Sequence, residues 1–174
     1  AHACNVEGSV AMAQLAKKVG VPFVLISTDA VFDGDQNTPY DETSTPTAKT
    51  VYGQTKALAE ARCLALYDQT LVIRTTLFGQ NLFHAQSTLA TTILTSLREG
   101  RVFYGFTDAT FCPVDVGSFW EAVLALLQVG ARGIFHVVSS ECVSKYDFAK
   151  RLAATFQLEV GLVKPRSVSE ISLT

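Results

Sequence analysis

The chain has 174 residues and a formal charge of −2, from 14 Lys and Arg against 16 Asp and Glu; 48% of it is hydrophobic and 17% charged. That balance excludes a disordered or low-complexity chain, and the slight negative charge argues against a nucleic-acid or anionic-membrane partner, since nothing here neutralises a row of phosphates. No apolar run reaches the roughly 20 residues of a membrane helix, and no basic region leads into an apolar stretch as in a secretory signal, so no membrane association and a cytoplasmic location are expected.

In chain order, residues 5–19 predict an amphipathic helix with Val6, Val10, Ala13, Leu15, Ala16 and Val19 as its apolar positions, stopped by Gly20. No strand precedes this helix and no Met opens the chain, so the sequence reads as part of a longer one. Residues 21–26 form a short continuous apolar run, the pattern of a buried parallel strand, and Ser27, Thr28 and Asp29 follow at its carboxyl end. A Gly-, Pro- and Asp-rich loop over 32–46 leads to a helix over 52–68, then to a strand over 71–74 that ends in Thr75 and Thr76. A helix over about 84–99, a short strand at 102–104, a helix over 116–127, a strand over 133–138 and a last helix over 145–156 complete the pattern. Phe119 and Trp120 are expected in the core, and Ser139 to Glu141 in a turn. Alternating helices and apolar strands predict an α/β fold with a mostly parallel sheet. Ligands in such sheets bind outside the carboxyl ends of the strands, which makes Ser27 to Asp29 and Arg74 to Thr76 candidates by position alone.

Cys4, Cys63, Cys112 and Cys142 form no C-x-x-C pair and are widely spaced, so buried free thiols in a reducing compartment are expected rather than disulfides or zinc. His2, His84 and His136 are equally scattered and no metal site is expected. His136 lies in an apolar run and reads as a satisfied strand residue.

Tyr52 and Lys56 stand one helical turn apart at the start of a helix and share a face. An ordinary phenol, with a pKa of about 10, exchanges its proton poorly near neutrality, and an adjacent ammonium favours the phenolate. Such a phenol can protonate a carbonyl oxygen as hydride reaches the carbon. Thr28 could donate a hydrogen bond to the same oxygen. Y-x-x-x-K alone is a weak pattern that a surface Tyr and a solvated Lys also satisfy; the Ser-Thr-Asp strand end and the Pro-containing loop upstream strengthen it.

The segments Ser27-Thr28-Asp29-Ala30-Val31-Phe32-Asp33-Gly34, Pro39-Tyr40-Asp41-Glu42 and Val51-Tyr52-Gly53-Gln54-Thr55-Lys56 resemble the extended short-chain dehydrogenase/reductase superfamily, and within it the dTDP-4-dehydrorhamnose reductase-like, sugar-nucleotide-binding branch. Val72 to Thr75, Pro113-Val114, Gly133 to Val137 and Ser144 to Ala149 add to the likeness, which runs from about Asn5 to Val168. The resemblance implies a partial Rossmann-type parallel sheet with helices on both faces plus a small C-terminal substrate-binding region. Residues 1–80 would form the later part of an NAD(P)-binding domain, and residues 81–174 a mixed region with substrate-binding segments and a returning strand. It also implies reduction of a 4-keto nucleotide-sugar by NADPH or NADH, and possible homodimer formation.

Carried onto this chain, Thr28 polarises the keto oxygen, Tyr52 donates the proton, and Lys56 acidifies that phenol and binds the nicotinamide ribose. Ser27, Arg74 and Thr75 line the nicotinamide side together with Tyr52 and Lys56. Thr28, Asp29, Asn81 and Pro113, with the segment around 107–113, approach the sugar nucleotide. Two departures touch the substrate side: Ala30 stands where the branch commonly has Tyr, and Leu77 stands where it commonly has an aromatic. The family's Gly-rich pyrophosphate turn is absent from the sequence. The alternative is a non-catalytic NADP- or sugar-nucleotide-binding module similar to the regulatory subunit of methionine adenosyltransferase. A nucleotide-sugar epimerase or dehydratase fits less well, because Asp29 supplies one carboxylate and Ala30 no second.

Overall fold

The structure, a computed structural model, describes residues 1–36, 38–79 and 88–170. Its helices are α1 (Ser9–Val19), α2 (Val51–Leu66), α3 (Leu89–Arg98), α4 (Val116–Gln128) and α5 (Lys145–Thr155). Its strands are β1 (Phe23–Thr28), β2 (Thr70–Thr75), β3 (Leu77–Phe78), β4 (Phe103–Phe106), β5 (Thr110–Phe111), β6 (Val114–Asp115), β7 (Gly133–His136), β8 (Val143–Ser144) and β9 (Val163–Arg166). The chain divides into two compact units, one of residues 1–76 and 118–138, the other of 77–117 and 139–174.

The first unit is built on a parallel sheet in the order β1-β2-β7. β2 is buried along its whole length, with Leu71, Val72 and Ile73 fully enclosed, each contributing about 1.5–3 kcal/mol. The apolar run that reads as a strand without alternation does so because both of its faces are covered. Ala13 of α1, Ala59 and Cys63 of α2, Leu25 and Val72 form one core cluster. A π-helical stretch, Ala3–Gly8, leads into α1, so the predicted first helix begins two residues early. α1 ends on Gly20 in the left-handed region (φ 73°), which lets the chain reverse into β1. The predicted strand at 21–26 lies over Phe23–Thr28, which puts Ser27 and Thr28 inside it.

In the second unit α3 and α5 bury Ile93, Leu97, Phe148, Ala149 and Ala153 in one cluster. Thr88 caps α3 by accepting from the Thr91 N–H, so this helix starts at Leu89, and the predicted turn from 84 to 87 lies outside the described residues. β4 and β9 pair in parallel, Phe103 opposite Val163, and a Cβ on Gly105 would sit 2.5 Å from the Tyr146 Cα. β3 pairs with β6 in parallel and β5 with β8 antiparallel. These two-residue strands are too short to leave a periodic signal in the sequence.

Two sequence expectations are corrected. Cys112 and Cys142 are joined in a disulfide, with Cα atoms 4.1 Å apart, while Cys4 is free and exposed and only Cys63 is a buried free thiol. Spacing along the chain carries no record of which residues a strand pairing sets opposite each other. Trp120 is 49% exposed and Phe119 alone of that pair is buried, because adjacent helix positions face about 100° apart. Among the described residues no helix is long and apolar enough to cross a membrane, and no group of three His, Cys, Asp or Glu residues is placed to hold a metal.

Candidate functional site

The carboxyl ends of β1 and β2 lie side by side, Ser27 opposite Arg74 and Thr28 opposite Thr75, and Arg74 is in turn opposite His136 of β7. Neighbours in register on a parallel sheet share a face. Ser27, Arg74 and His136 therefore form one row, and Thr28 and Thr75 belong to the other face.

The row is closed by a residue that motif reading passed over. Glu60 of α2 is 2% exposed and accepts a short hydrogen bond from the Ser27 hydroxyl. It also pairs with Arg74, whose Nη2 and Nε lie 2.8 Å and 3.1 Å from Oε2. Arg74 is itself 3% exposed, its guanidinium carbon is 5.0 Å from the centre of the Phe32 ring, and its Nη1 lies 3.4 Å from the His136 Nε2. An Arg only donates, so this contact requires the neutral His136 tautomer with its proton on Nδ1. Burial, the larger cause, and the Arg74 charge push the His136 pKa down, against Glu42, whose carboxylate accepts from the His136 backbone N–H at 2.9 Å. Ser27 and Arg74, expected to line the cofactor, are both turned into this buried carboxylate.

α2 starts where Thr50 accepts from the Gly53 N–H at 3.1 Å, a cap worth about 1 kcal/mol. Gly53 is required here: a Cβ would overlap the Ala30 carbonyl oxygen and lie 2.8 Å from the Ala48 Cβ. This close approach seats the first turn of α2, and with it Tyr52, on the turn Asp29–Val31 that follows Thr28. Tyr52 is 50% exposed. The Lys56 ammonium crosses to β1 and donates to the Ile26 carbonyl at 2.6 Å. Half-burial lowers the Lys56 pKa, and the Glu60 charge opposes that shift. The Thr28 hydroxyl donates to the Asp29 carboxylate at 3.0 Å and accepts from the Ala30 N–H at 3.1 Å. Thr75 and Thr76 carry buried hydroxyls without a hydrogen-bond partner.

Of the expected residues, Ser27, Thr28, Asp29, Tyr52, Lys56, Arg74 and Thr75 all belong to the first unit and gather around the ends of β1 and β2 and the start of α2. Pro113 is buried in the second unit next to the disulfide, and Asn81 lies outside the described residues. Glu60 was detectable as the next position of the Tyr52–Lys56 stripe, four residues on. Its partners were not, because they come from two strands.

The loop between β1 and α2 folds over Phe32, on which Tyr40 stacks at 4.2 Å. The Tyr40 hydroxyl donates to Asp33 at 2.5 Å and is the chief reason the Asp33 pKa falls to about 2. A cavity of about 450 Å³ opens in this loop among Asp33, Asp35, Tyr40 and Thr47, and neither Thr28, Tyr52 nor Lys56 lines it.

A family profile described as the RmlD substrate binding domain matches residues 1–173. The chain is 29% identical over 180 residues to a dTDP-4-dehydrorhamnose reductase of Mycobacterium tuberculosis, covering 98% of this chain and 57% of that protein. It is 29% identical over 164 residues to a spore coat polysaccharide biosynthesis protein of Bacillus subtilis, covering 94% of this chain and 56% of that one. A crystal structure of dTDP-4-dehydrorhamnose reductase from Bacillus anthracis in complex with NADP superposes with a TM-score of 0.90 at 27% identity, over 98% of this chain and 59% of that one. The α/β fold is that of the Bacillus anthracis reductase, and the chain spans somewhat more than half the length of each of these relatives.

Proposed function

Because the chain belongs to the RmlD substrate binding domain family, we propose that the whole protein reduces a 4-keto group on a nucleotide-activated deoxysugar with NADPH or NADH. The observation that carries this reading is the seating of the Tyr52 and Lys56 turn of α2 against the end of β1, through Gly53 on Ala30 and the Lys56 ammonium on the Ile26 carbonyl. The NADP-bound relative and the reductase names among the similar proteins support it.

The chain's own residues suit a nicotinamide at the strand ends. Tyr52 offers a half-exposed phenol, Lys56 spends one of its three N–H bonds on Ile26, and the Thr75 hydroxyl is unpartnered. These three would hold the cofactor, with Ser27 and Arg74 bracing them from inside the fold. The bound cofactor supplies hydride to the keto carbon. Thr28 then donates to the oxygen as negative charge builds there, which requires its hydroxyl to turn away from Asp29. Tyr52 protonates that oxygen, and the Lys56 ammonium favours the phenolate left behind. One hydride and one proton convert the ketone to an alcohol. Asp29, Asn81 and Pro113 are assigned to the sugar-nucleotide side. A cytoplasmic setting, where reduced nicotinamide cofactor is at hand, fits this chemistry; the Cys112–Cys142 bond is uncommon there.

Tyr52→Phe in the intact protein removes one hydroxyl. Turnover of a dTDP-4-keto-6-deoxysugar should fall about 100-fold or more, the usual scale of general acid catalysis, while NADPH still binds by calorimetry. Undiminished turnover by the variant would contradict the assignment.

A further inference from the structure

Glu60 is a fully buried carboxylate for which the proposed reaction has no direct use. It lies four residues beyond Lys56 and eight beyond Tyr52 on α2, so the three stand on one stripe of the helix. Its two oxygens take hydrogen bonds from two strands, from Ser27 at the end of β1 and from Arg74 at the end of β2. Ser27 immediately precedes Thr28, and Arg74 immediately precedes Thr75. One carboxylate thus joins the helix that carries the proton donor to both strand ends that carry its hydroxyl partners.

A carboxylate placed there has a cost that packing alone does not require. Well-packed hydrophobic residues often replace a buried ion pair with no loss of stability, whereas removing one partner strands a charge. A buried acid kept beside an active-site lysine calls for a reason beyond stability, and its neighbourhood supplies one. The groups facing the Lys56 ammonium are Glu60 and Cys63 on its own helix and the Ile26 carbonyl of β1, with Arg74 of β2 and His136 of β7 behind Glu60. Glu60 is the one negative charge in that set, and it opposes the downward pull of burial on the Lys56 pKa.

We infer that Glu60 is a positioning residue for the proposed reduction: its carboxylate clamps Ser27 and Arg74 to the helix bearing Tyr52 and Lys56, and places a negative charge one helical turn from Lys56. This rests on the reductase reading for its consequence in turnover, whereas the clamp itself rests on the hydrogen bonds that Ser27 and Arg74 give to Glu60. The clamp acts through Lys56 and through the strand ends and does not touch the substrate.

The test uses the intact protein and three variants, Glu60→Gln, the double replacement Glu60→Met with Arg74→Met, and Lys56→Arg to assign the Lys56 side chain by NMR. In Glu60→Gln the Lys56 titration midpoint should fall by about one pH unit, because a negative charge is lost and the Arg74 guanidinium is left uncompensated. The double variant should melt near the wild-type temperature, and its Lys56 midpoint should still lie below the wild-type value. In turnover, the basic limb of the kcat/KM profile should move down with that midpoint and kcat should drop at least tenfold, in both variants. A double variant that melts like wild type with an unchanged Lys56 midpoint would reduce Glu60 to a structural ion pair and overturn the inference. A wild-type protein that turns over no nucleotide-4-keto-sugar would overturn the reductase reading instead, and the NMR midpoints would still decide the role of Glu60.

Discussion

His136 sits at the end of β7 with its ring edge against Phe32, ring centres 5.9 Å apart, and its Nε2 turned to Arg74. Protonation would set two cations against each other in a half-buried site, which is why the folded ring resists it. The consequence for stability has a definite sign. Below the ordinary histidine pKa of about 6.5 the unfolded chain takes up a proton that the folded chain refuses, so stability falls as the pH drops through that value toward the lowered folded pKa. Asp33, Asp41, Glu42, Asp108 and Glu141, all held below the ordinary carboxylate range by hydrogen bonds or by Arg151, add a second loss at lower pH, below their unfolded values. His136→Gln should flatten the first loss and leave the second. Thermal melts of the intact protein between pH 5 and 8 measure it, and an unchanged slope in the variant would remove His136 from the account.

Among the elements, β5 and β8 show how far a two-residue pairing can be extended by chemistry. Thr110 faces Ser144 and Phe111 faces Val143, so the next register position sets Cys112 opposite Cys142, where the disulfide forms. The bond joins residues 30 apart, and closing a loop of that length in the unfolded chain is worth about 3–4 kcal/mol. The strand pair it reinforces continues the segment 107–113 that the family likeness assigns to the sugar nucleotide. Reduction, or Cys112→Ser together with Cys142→Ser, should lower the urea midpoint of the intact protein by a corresponding amount. Equal midpoints with and without a dithiol reductant would mean that the bond adds nothing. The short S-x-x-D box at the start of α5 works alongside it: Ser144 accepts from the Asp147 N–H at 2.9 Å and donates to its carboxylate at 2.6 Å, so one residue ends β8 and caps the helix.

Over the whole molecule, burial is concentrated where the sheet is flanked on both sides. β2 alone among the strands of its sheet has two partners, β1 and β7, and it has no exposed residue. β1, by contrast, leaves Ile26 39% exposed. Opening free energy follows this pattern. Hydrogen exchange on the intact protein should find the amides of Leu71 to Arg74 slower than those of the two-residue strands β3, β5, β6 and β8. Faster exchange in β2 than in those strands would contradict the assignment of the core. The same strand carries Arg74, so the most completely buried strand of the sheet is also the one that anchors the Glu60 clamp.

The α/β class, the order of the main elements and the Tyr52–Lys56 stripe were legible in the sequence because they depend on local periodicity: apolar runs for covered strands, one face every 3.6 residues for helices, Gly20 for a left-handed stop. The positions of Ser27, Thr28, Arg74 and Thr75 at strand ends followed from the same patterns. The Cys112–Cys142 bond, the two-residue strands and the half-exposed Trp120 did not, since each depends on which residues meet across the fold. Glu60 belongs with these. Alone it reads as one more helix-forming residue, and only the register that sets Ser27 beside Arg74 turns it into a buried carboxylate with two strands to hold, because a charge survives inside a protein only where tertiary structure brings it partners.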